Sequence, residues 1–319
     1  VGRTSLTYDQ LAATTLEYIV PTITPNIYDL TILLDRMRSG KRVKVVTGGR
    51  KVFHPIRDIE LSEAKFVSPL DSRVAAHKDT RTALELDWKY LIGDIVMLWN
   101  EKLQNRGAPQ IVSLVTDKVK EGISDVLQKF STVMYQAYAS KGADELDGLY
   151  TVIQAHGSDT TYAGISSANS TNWKAGVLDT TTTALSLYGS GSMDYNIRQC
   201  WFRGRPDLIV TTQAIASEYA SKLQPGERRA PGEGKSGATD LAFAGIPIIT
   251  DPQCPAGDMF FLNTKHLWLY AQSGENFSTG AWEKDPTGLK RDRALISFVG
   301  NLVCDLRRSM GACTALDYS

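Results

Sequence analysis

Four cysteines and four histidines in 319 residues leave little material for a metal centre or a redox pair. Cys200, Cys254, Cys304 and Cys313 form no C-x-x-C pair, and none has a histidine at ligand spacing, which removes the usual zinc frames. Reduced, mostly buried thiols of an intracellular protein are the expectation. His54, His77, His156 and His266 fit neither H-x-x-x-H nor H-E-x-x-H, so a zinc hydrolase has no support. An excess of one charge is lacking too: 35 Lys and Arg balance 35 Asp and Glu. Nucleic-acid affinity rests on cations neutralising phosphates, and no basic excess marks that use here. The same balance gives like copies little long-range repulsion. No apolar run approaches the roughly 18–20 residues that span a bilayer, so no membrane partner is expected. Val1-Gly2-Arg3-Thr4 lacks the basic end and apolar stretch of a signal peptide. No internal repeat is present.

What remains is ordinary globular material, 42% hydrophobic and 22% charged, enough for one large domain or two modest ones. Tyr8, Leu11, Ala12, Leu16 and Ile19 predict a short helix over 8–20, interrupted by Pro21 and Pro25. A second apolar stretch, Ile27, Leu30, Leu33, Leu34 and Met37, is stopped by Ser39-Gly40. Two short helices separated by prolines read as an arm lying on something else. Over 41–90 the apolar spacing turns strand-like. Val43, Val45, Val52, Phe53, Ile56 and Ile59 interleave with Lys41, Arg42, Lys44, Arg50, Lys51, Arg57, Glu60 and Glu63, and Thr82, Leu84, Leu86 and Trp88 alternate with polar neighbours. That pattern fits a long projecting hairpin with little core of its own, which would lean on a neighbour because an isolated hairpin is marginal in water, and it fits equally an ordinary edge hairpin on a sheet.

From Ile111 through Val115, Val119, Ile123, Val126, Phe130 and Met134 to Ala137, spacings of three and four run unbroken. One helix of about 30 residues, roughly 45 Å long, follows, best laid along a sheet. Residues 157–200 are rich in Ser, Thr, Gly and Asn and read as loops. Asp207 to Thr212 reads as a buried strand followed by a helix through Ile215 and Leu223; 224–239 is a polar loop; 243–251 is a strand with a turn. Asp258–Asn263 and Leu267–Tyr270 look like paired strands, and Ala294–Cys304 like the last one. Strands and helices mix without regular alternation, so the class is α+β.

Candidate chemistry is thin. Gly234-Lys235-Ser236 lacks the glycine five positions earlier that a phosphate loop needs, since position 229 is Arg. Gly189-Ser190-Gly191 is no nucleophile elbow. Cys254 has no histidine placed by sequence to activate it. Asp144, Glu145 and Asp147 read as a solvated turn, and Asp251-Pro252 and Asp285-Pro286 as turn formers. No catalytic, metal or cofactor-binding residue is assigned, and no cofactor is expected.

A succession of features over about 205–313 carries a family resemblance. Asp207-Leu208-Ile209-Val210-Thr211-Thr212 and its helix come first, then Leu241-Ala242-Phe243-Ala244-Gly245-Ile246-Pro247-Ile248. Asp251-Pro252-Gln253-Cys254-Pro255 leads into Met259-Phe260-Phe261-Leu262-Asn263-Thr264-Lys265, and Gly300-Asn301-Leu302-Val303-Cys304 precedes Arg307 and Arg308. In this order the chain resembles the major capsid proteins of tailed bacteriophages, the Hong Kong ninety-seven-type coat fold. The N-terminal half resembles them in layout: arm, charged hairpin, long helix.

The resemblance implies an N-terminal arm (1–40), an extended loop (41–95), a spine helix with the peripheral domain (96–150), an axial domain (151–290) and a return to the peripheral domain (291–319). It implies a virion protein, assembled in the host bacterial cytoplasm into pentamers and hexamers of an icosahedral shell around double-stranded DNA bound without sequence specificity. Portal and scaffold proteins are the other implied partners. Arg50, Lys51, Arg57, Glu60 and Glu63 would pair with charges on adjacent subunits. Some members crosslink a loop lysine to a neighbour's asparagine; Lys44, Lys51 and Lys65 as donors and Asn301 as acceptor are available, and spacing selects none of them. An encapsulin-like compartment around protein cargo shares the fold, and a soluble α+β hydrolase is the alternative of another class. The layout predicts that deleting 46–80 leaves a folded subunit unable to close shells, checked by electron microscopy.

Overall fold

The computed structural model describes residues 32–57, 81–104, 108–136, 141–153, 161–167, 173–181, 184–223 and 241–317. The expected 8–20 helix, the outer part of the hairpin and the 224–239 loop with Gly234-Lys235-Ser236 lie outside them. Helices run Ile32–Ser39, Trp99–Gln104, Ala108–Met134, Leu149–Ile153, Met193–Gln199 and Gln213–Lys222. The strands are β1 Val43–Val46, β2 Lys51–Arg57, β3 Arg81–Asp87, β4 Lys89–Leu98, β5 Thr161–Tyr162, β6 Ile165–Ser166 and β7 Val177–Asp179. They continue with β8 Leu208–Thr211, β9 Ala242–Phe243, β10 Ile246–Thr250, β11 Met259–Leu262, β12 Leu267–Thr279, β13 Glu283–Lys284, β14 Arg291–Cys304 and β15 Gly311–Cys313.

The first sheet has the order β1-β12-β14-β13, with β4 also pairing with β14. Along β14 the register with β4 runs unbroken from Arg291↔Leu98 to Gly300↔Lys89. The long helix, 27 residues, lies on one face of this sheet. Its stripe of Val115, Val119, Ile123, Val126, Phe130 and Met134 is buried, as the three-and-four spacing requires. Two glycines set how closely helix and sheet approach. A Cβ on Gly93 of β4 would stand 2.3 Å from Val126 Cγ2, and one on Gly122 of the helix would stand 2.6 Å from Ile95 Cγ1. Each surface therefore has a notch that receives a branched side chain of the other. Phe130 meets Phe277 and Phe298 edge-on at 5.6 and 5.1 Å, which closes this layer near the helix end.

The second sheet has the order β7-β15-β11-β8-β10-β9. One face, with Leu208, Val210, Phe260 and Leu262, joins the core shared with the first sheet. The other, with Ile209, Ile248, Met259 and Phe261, packs on Ile197, Ile215 and Tyr219. Coverage on both sides explains why all four residues of β8 are apolar or fully buried. Arg307 crosses the core as a buried guanidinium. Its Nε donates to Val152 O at 2.6 Å and its Nη1 to Trp173 O at 3.1 Å, and the rings of Tyr162 and Trp173 flank it. All four cysteines are free and buried, as expected.

Several expectations need correction. The 259–262 and 267–279 strands do not pair with each other. β11 pairs with β8 and β15, whereas β12 pairs with β1 and β14, and the turn Thr264–His266 carries the chain from one sheet to the other. Ala294–Cys304 is not the last strand, because β15 follows and completes the second sheet. Within the loop-like stretch 157–200, Ser192 caps a helix by accepting from Tyr195 N. Within 41–95 only β2 and β3 form the hairpin; β1 and β4 belong to the first sheet.

A Gly93→Ala variant should lose about 1–3 kcal/mol in urea unfolding, because the added methyl has no room against Val126. Combined with Val126→Ala, the loss should be smaller than the sum of the two single losses.

Candidate assembly interface

Gly48 and Gly49, at φ +72 and +102, turn the chain out of the first sheet into the hairpin, and Trp88 Nε1 donates to Gly49 O at 2.8 Å to hold that turn. The strands pair from Lys51↔Asp87 to Arg57↔Arg81. Period two then splits the hairpin into two faces. Val52, His54, Leu84 and Leu86 face inward and are buried in this subunit's own body. The expectation of a hairpin with little core of its own therefore fails at its root.

His54 secures that root. Its Nδ1 lies 2.7 Å from Tyr270 Oη, and its Nε2 lies 3.5 Å from Asp305 Oδ2. The other Asp305 oxygen meets His266 Nδ1 at 2.7 Å, and Trp268 Nε1 donates to Oδ2 at 3.2 Å. Burial works against the charged carboxyl of Asp305, but the hydrogen bonds from His266 and His54, the charge of His266 and the Trp268 N–H outweigh it. They hold the group well below the usual carboxylate range. Arg42 and Lys44 cover Trp268 at 4.4 and 4.2 Å from its ring centre.

The outward face carries Lys51, Phe53, Glu85 and Asp87, with Phe53 exposed. Of the residues expected to meet neighbours, Arg50 is exposed in the turn. Lys51 lies 3.5 Å from Glu85 and 3.8 Å from Asp87 of its own hairpin, exposed pairs that contribute little. Arg57 ends β2, while Glu60 and Glu63 lie outside the described residues. Asn301 is fully buried: its Nδ2 donates to Asp87 O, and its Oδ1 accepts from Leu302 N. It is no surface acceptor for a lysine of a neighbour.

Sequence reasoning missed a second surface. On β4 the residues Leu91, Gly93, Ile95 and Met97 face the long helix. Tyr90, Ile92, Val96 and Leu98 face away, and Leu295 of β14 stands across from Asp94 on that outer face. These five apolar side chains are 36–67% exposed. They form a stripe about 27 Å long at the rise of an extended strand. An exposed apolar stripe on a formed sheet, here broken only by Asp94 among the described residues, marks a contact surface. The signal was present in the sequence: β4 is apolar on both alternating faces, the pattern of a strand covered on both sides.

At the far end of the sheet, Trp99, Lys102 and the turn 284–292 enclose a concavity of about 610 Å³. Its two carboxylates are tied down. Lys102 pairs with Asp292, and Arg291 with Asp285, whose carboxyl is lowered to about 2, first by hydrogen bonds from Thr287 and then by Arg291. Neither is placed as a proton acceptor for catalysis.

No family model and no curated protein matches the chain. Solved structures do. The chain has the fold of tailed-phage major capsid proteins. It superposes on a subunit of the cyanophage A-1(L) capsid asymmetric unit at a TM-score of 0.64 with 17% identity, covering 98% of this chain and 97% of that one. A capsid subunit of a native GTA particle gives 0.55 with 11% identity over 88% and 90%. The holo-SrpI encapsulin complex of Synechococcus elongatus gives 0.54 with 10% identity over 87% and 86%.

Because Val52 and His54 belong to the body, deletion of 46–80 removes core side chains as well as the projection. Replacing only 58–80 by a short turn spares Val52 and His54 and so tests the expected projection apart from the root, by thermal melts and electron microscopy of the assembled particles. Asp305→Asn should cost about 2 kcal/mol at pH 7, the scale of hydrogen bonds to a charged group. The folded carboxyl is depressed, so its contribution is present above the unfolded value of about 3.9 and is lost as pH falls below it. Wild type should thus lose stability below about pH 4 more steeply than the variant, measured by thermal melts across pH.

Proposed function

We propose that this chain is a shell-building subunit, the major capsid protein of a tailed phage, and not an enzyme. In this reading its copies form pentamers and hexamers of an icosahedral virion shell enclosing double-stranded DNA, assembled in the host bacterial cytoplasm with portal and scaffold proteins as partners. The observation that carries the proposal is the open stripe of Tyr90, Ile92, Val96, Leu98 and Leu295, on a fold whose solved examples include capsid subunits. A second copy is the occupant the reading assigns to it. Heterologous contacts of this kind close into rings, and stable obligate interfaces commonly exceed about 2,000 Å². In this reading the arm (1–40) and hairpin supply further area, with Leu33, Leu34 and Met37 of the arm already buried in this subunit's own core. The reading assigns Arg50, Lys51, Arg57, Glu60 and Glu63 to the hairpin contact, each pair weak but repeated through the shell. The long helix with the first sheet serves as the peripheral domain, and the second sheet with its helices as the axial domain.

The SrpI likeness favours a second reading, a compartment around protein cargo. The contents of native particles separate the two: nuclease-protected DNA for the first, a co-purifying protein for the second.

Ile92→Glu should keep the melting temperature of the wild-type subunit, since the site is 62% exposed, and abolish shells and rings in electron micrographs. A wild-type chain that stays a single subunit at high concentration, or an Ile92→Glu chain that assembles normally, would sink the proposal.

A further inference from the structure

The balance of charge over the whole chain does not hold in the segment that follows the helix Met193–Gln199. Residues 198–206 hold three arginines and no carboxylate. Trp201 is 52% exposed there, a large ring left in water on a loop that bears cations. The arginines stand on rings. Arg198 lies 5.6 Å from the centre of Trp201. Phe202 carries Arg203 at 5.4 Å and Arg308, which arrives from the turn after β14, at 4.7 Å. Such contacts occur about once in 70–80 residues of folded protein, so three on two adjacent rings are a local concentration. The loop that holds them is fixed. Trp201 N donates to Arg198 O at 3.1 Å, and a Cβ on Gly204 would stand 3.0 Å from Asn263 Nδ2. Asp207 accepts from Thr264 N and Oγ1 at 2.8 and 2.9 Å, so its carboxylate is engaged in closing the loop, and Asp194 is engaged by Arg198 at 2.8 Å. Arg203 holds φ +53, a left-handed backbone that is costly for a residue with a side chain. A glycine would serve the turn at less cost, so the backbone gives no reason for a guanidinium at this position. Solubility accounts for surface arginines, but not for exposed aromatic rings beneath them.

We infer that this patch binds a single-stranded nucleic acid, with Trp201 as the platform for a base and Arg203, Arg205 and Arg308 on the phosphates. A guanidinium held over a ring uses its face rather than its N–H edge, and that edge matches two phosphate oxygens at once. The bases of a single strand offer flat faces to an aromatic ring. A duplex keeps its bases stacked inside, and an acidic peptide supplies charge without them. Stacking is indifferent to base identity, so the contact is not sequence-specific. No residue of the apolar stripe takes part, so failure of this inference leaves the shell reading standing.

Fluorescence anisotropy of the full chain at stepped salt tests it, with three labelled probes: an oligothymidylate, its duplex with oligodeoxyadenylate, and polyglutamate. The single strand should bind most tightly, and the logarithm of its affinity should fall against the logarithm of salt with a slope of about −2, the value for three phosphate contacts. Trp201→Ala should weaken the strand about tenfold. Arg203→Gly and Arg205→Ala should each flatten the slope by roughly 0.7. Arg203→Gly also relieves the left-handed backbone, so its melting temperature should hold while its affinity falls, which separates lost binding from lost folding. Absence of strand binding at low salt overturns the inference. So does polyglutamate or duplex bound as tightly as the strand, or a strand affinity that Trp201→Ala leaves unchanged.

Discussion

The close seating of the long helix on the first sheet is the constraint on which the remaining architecture depends. It rests on two absent side chains, at Gly93 and Gly122, that let Val126, Ile95 and Ile296 interlock. Close packing of this kind resists sliding, because a shift along the helix drives a branched side chain out of its notch and into backbone. The helix and β4 therefore move as one body, and β14, paired along β4, moves with them. One face of the sheet is spent on this contact. The opposite face, with its row of apolar side chains, has no helix of its own among the described residues.

The hairpin is attached to that body by polar as well as apolar means. Val52, Leu84 and Leu86 bury the inward face, but they are interchangeable grease with no directional preference. His54 supplies direction, since its two nitrogens address Tyr270 and Asp305 at once. Asp305 sits just after β14, and His266 occupies the turn between the two sheets, so one carboxylate ties together hairpin, first sheet and crossing point.

Local periodicity made the helix from 108 to 134 legible, together with the buried strand from 208 to 211 and the helix after it, because each declares itself within a dozen residues. Pairing was not legible. Met259–Leu262 and Leu267–Thr279 are neighbours in the chain and look like a hairpin, yet Thr264–His266 sends them to different sheets, and nothing in their own residues encodes which partner each takes. The contact stripe was hidden for a related reason. Tyr90, Ile92, Val96 and Leu98 alternate with the core-facing Leu91, Ile95 and Met97, so the segment's own pattern does not distinguish its two faces until the helix shows which one is taken. Of the charges chosen from the sequence, Arg50 is exposed in the turn and Lys51 lies on the hairpin's outer face; Asn301, considered as a surface acceptor, is interior. Groups remote in sequence, such as His54 and Asp305, or Asp147 and Asn301, become neighbours only in the folded chain.

Asp94 interrupts the apolar stripe at its centre, exposed and directly across from Leu295. A surface that lies over Ile92 and Val96 must either present a donor opposite that carboxylate or trap it without water, and the second course costs several kcal/mol. Grease alone would tolerate a range of offsets along the strand. One fixed anion in the middle admits a single alignment, so the angle at which a covering body meets this sheet is written into one side chain.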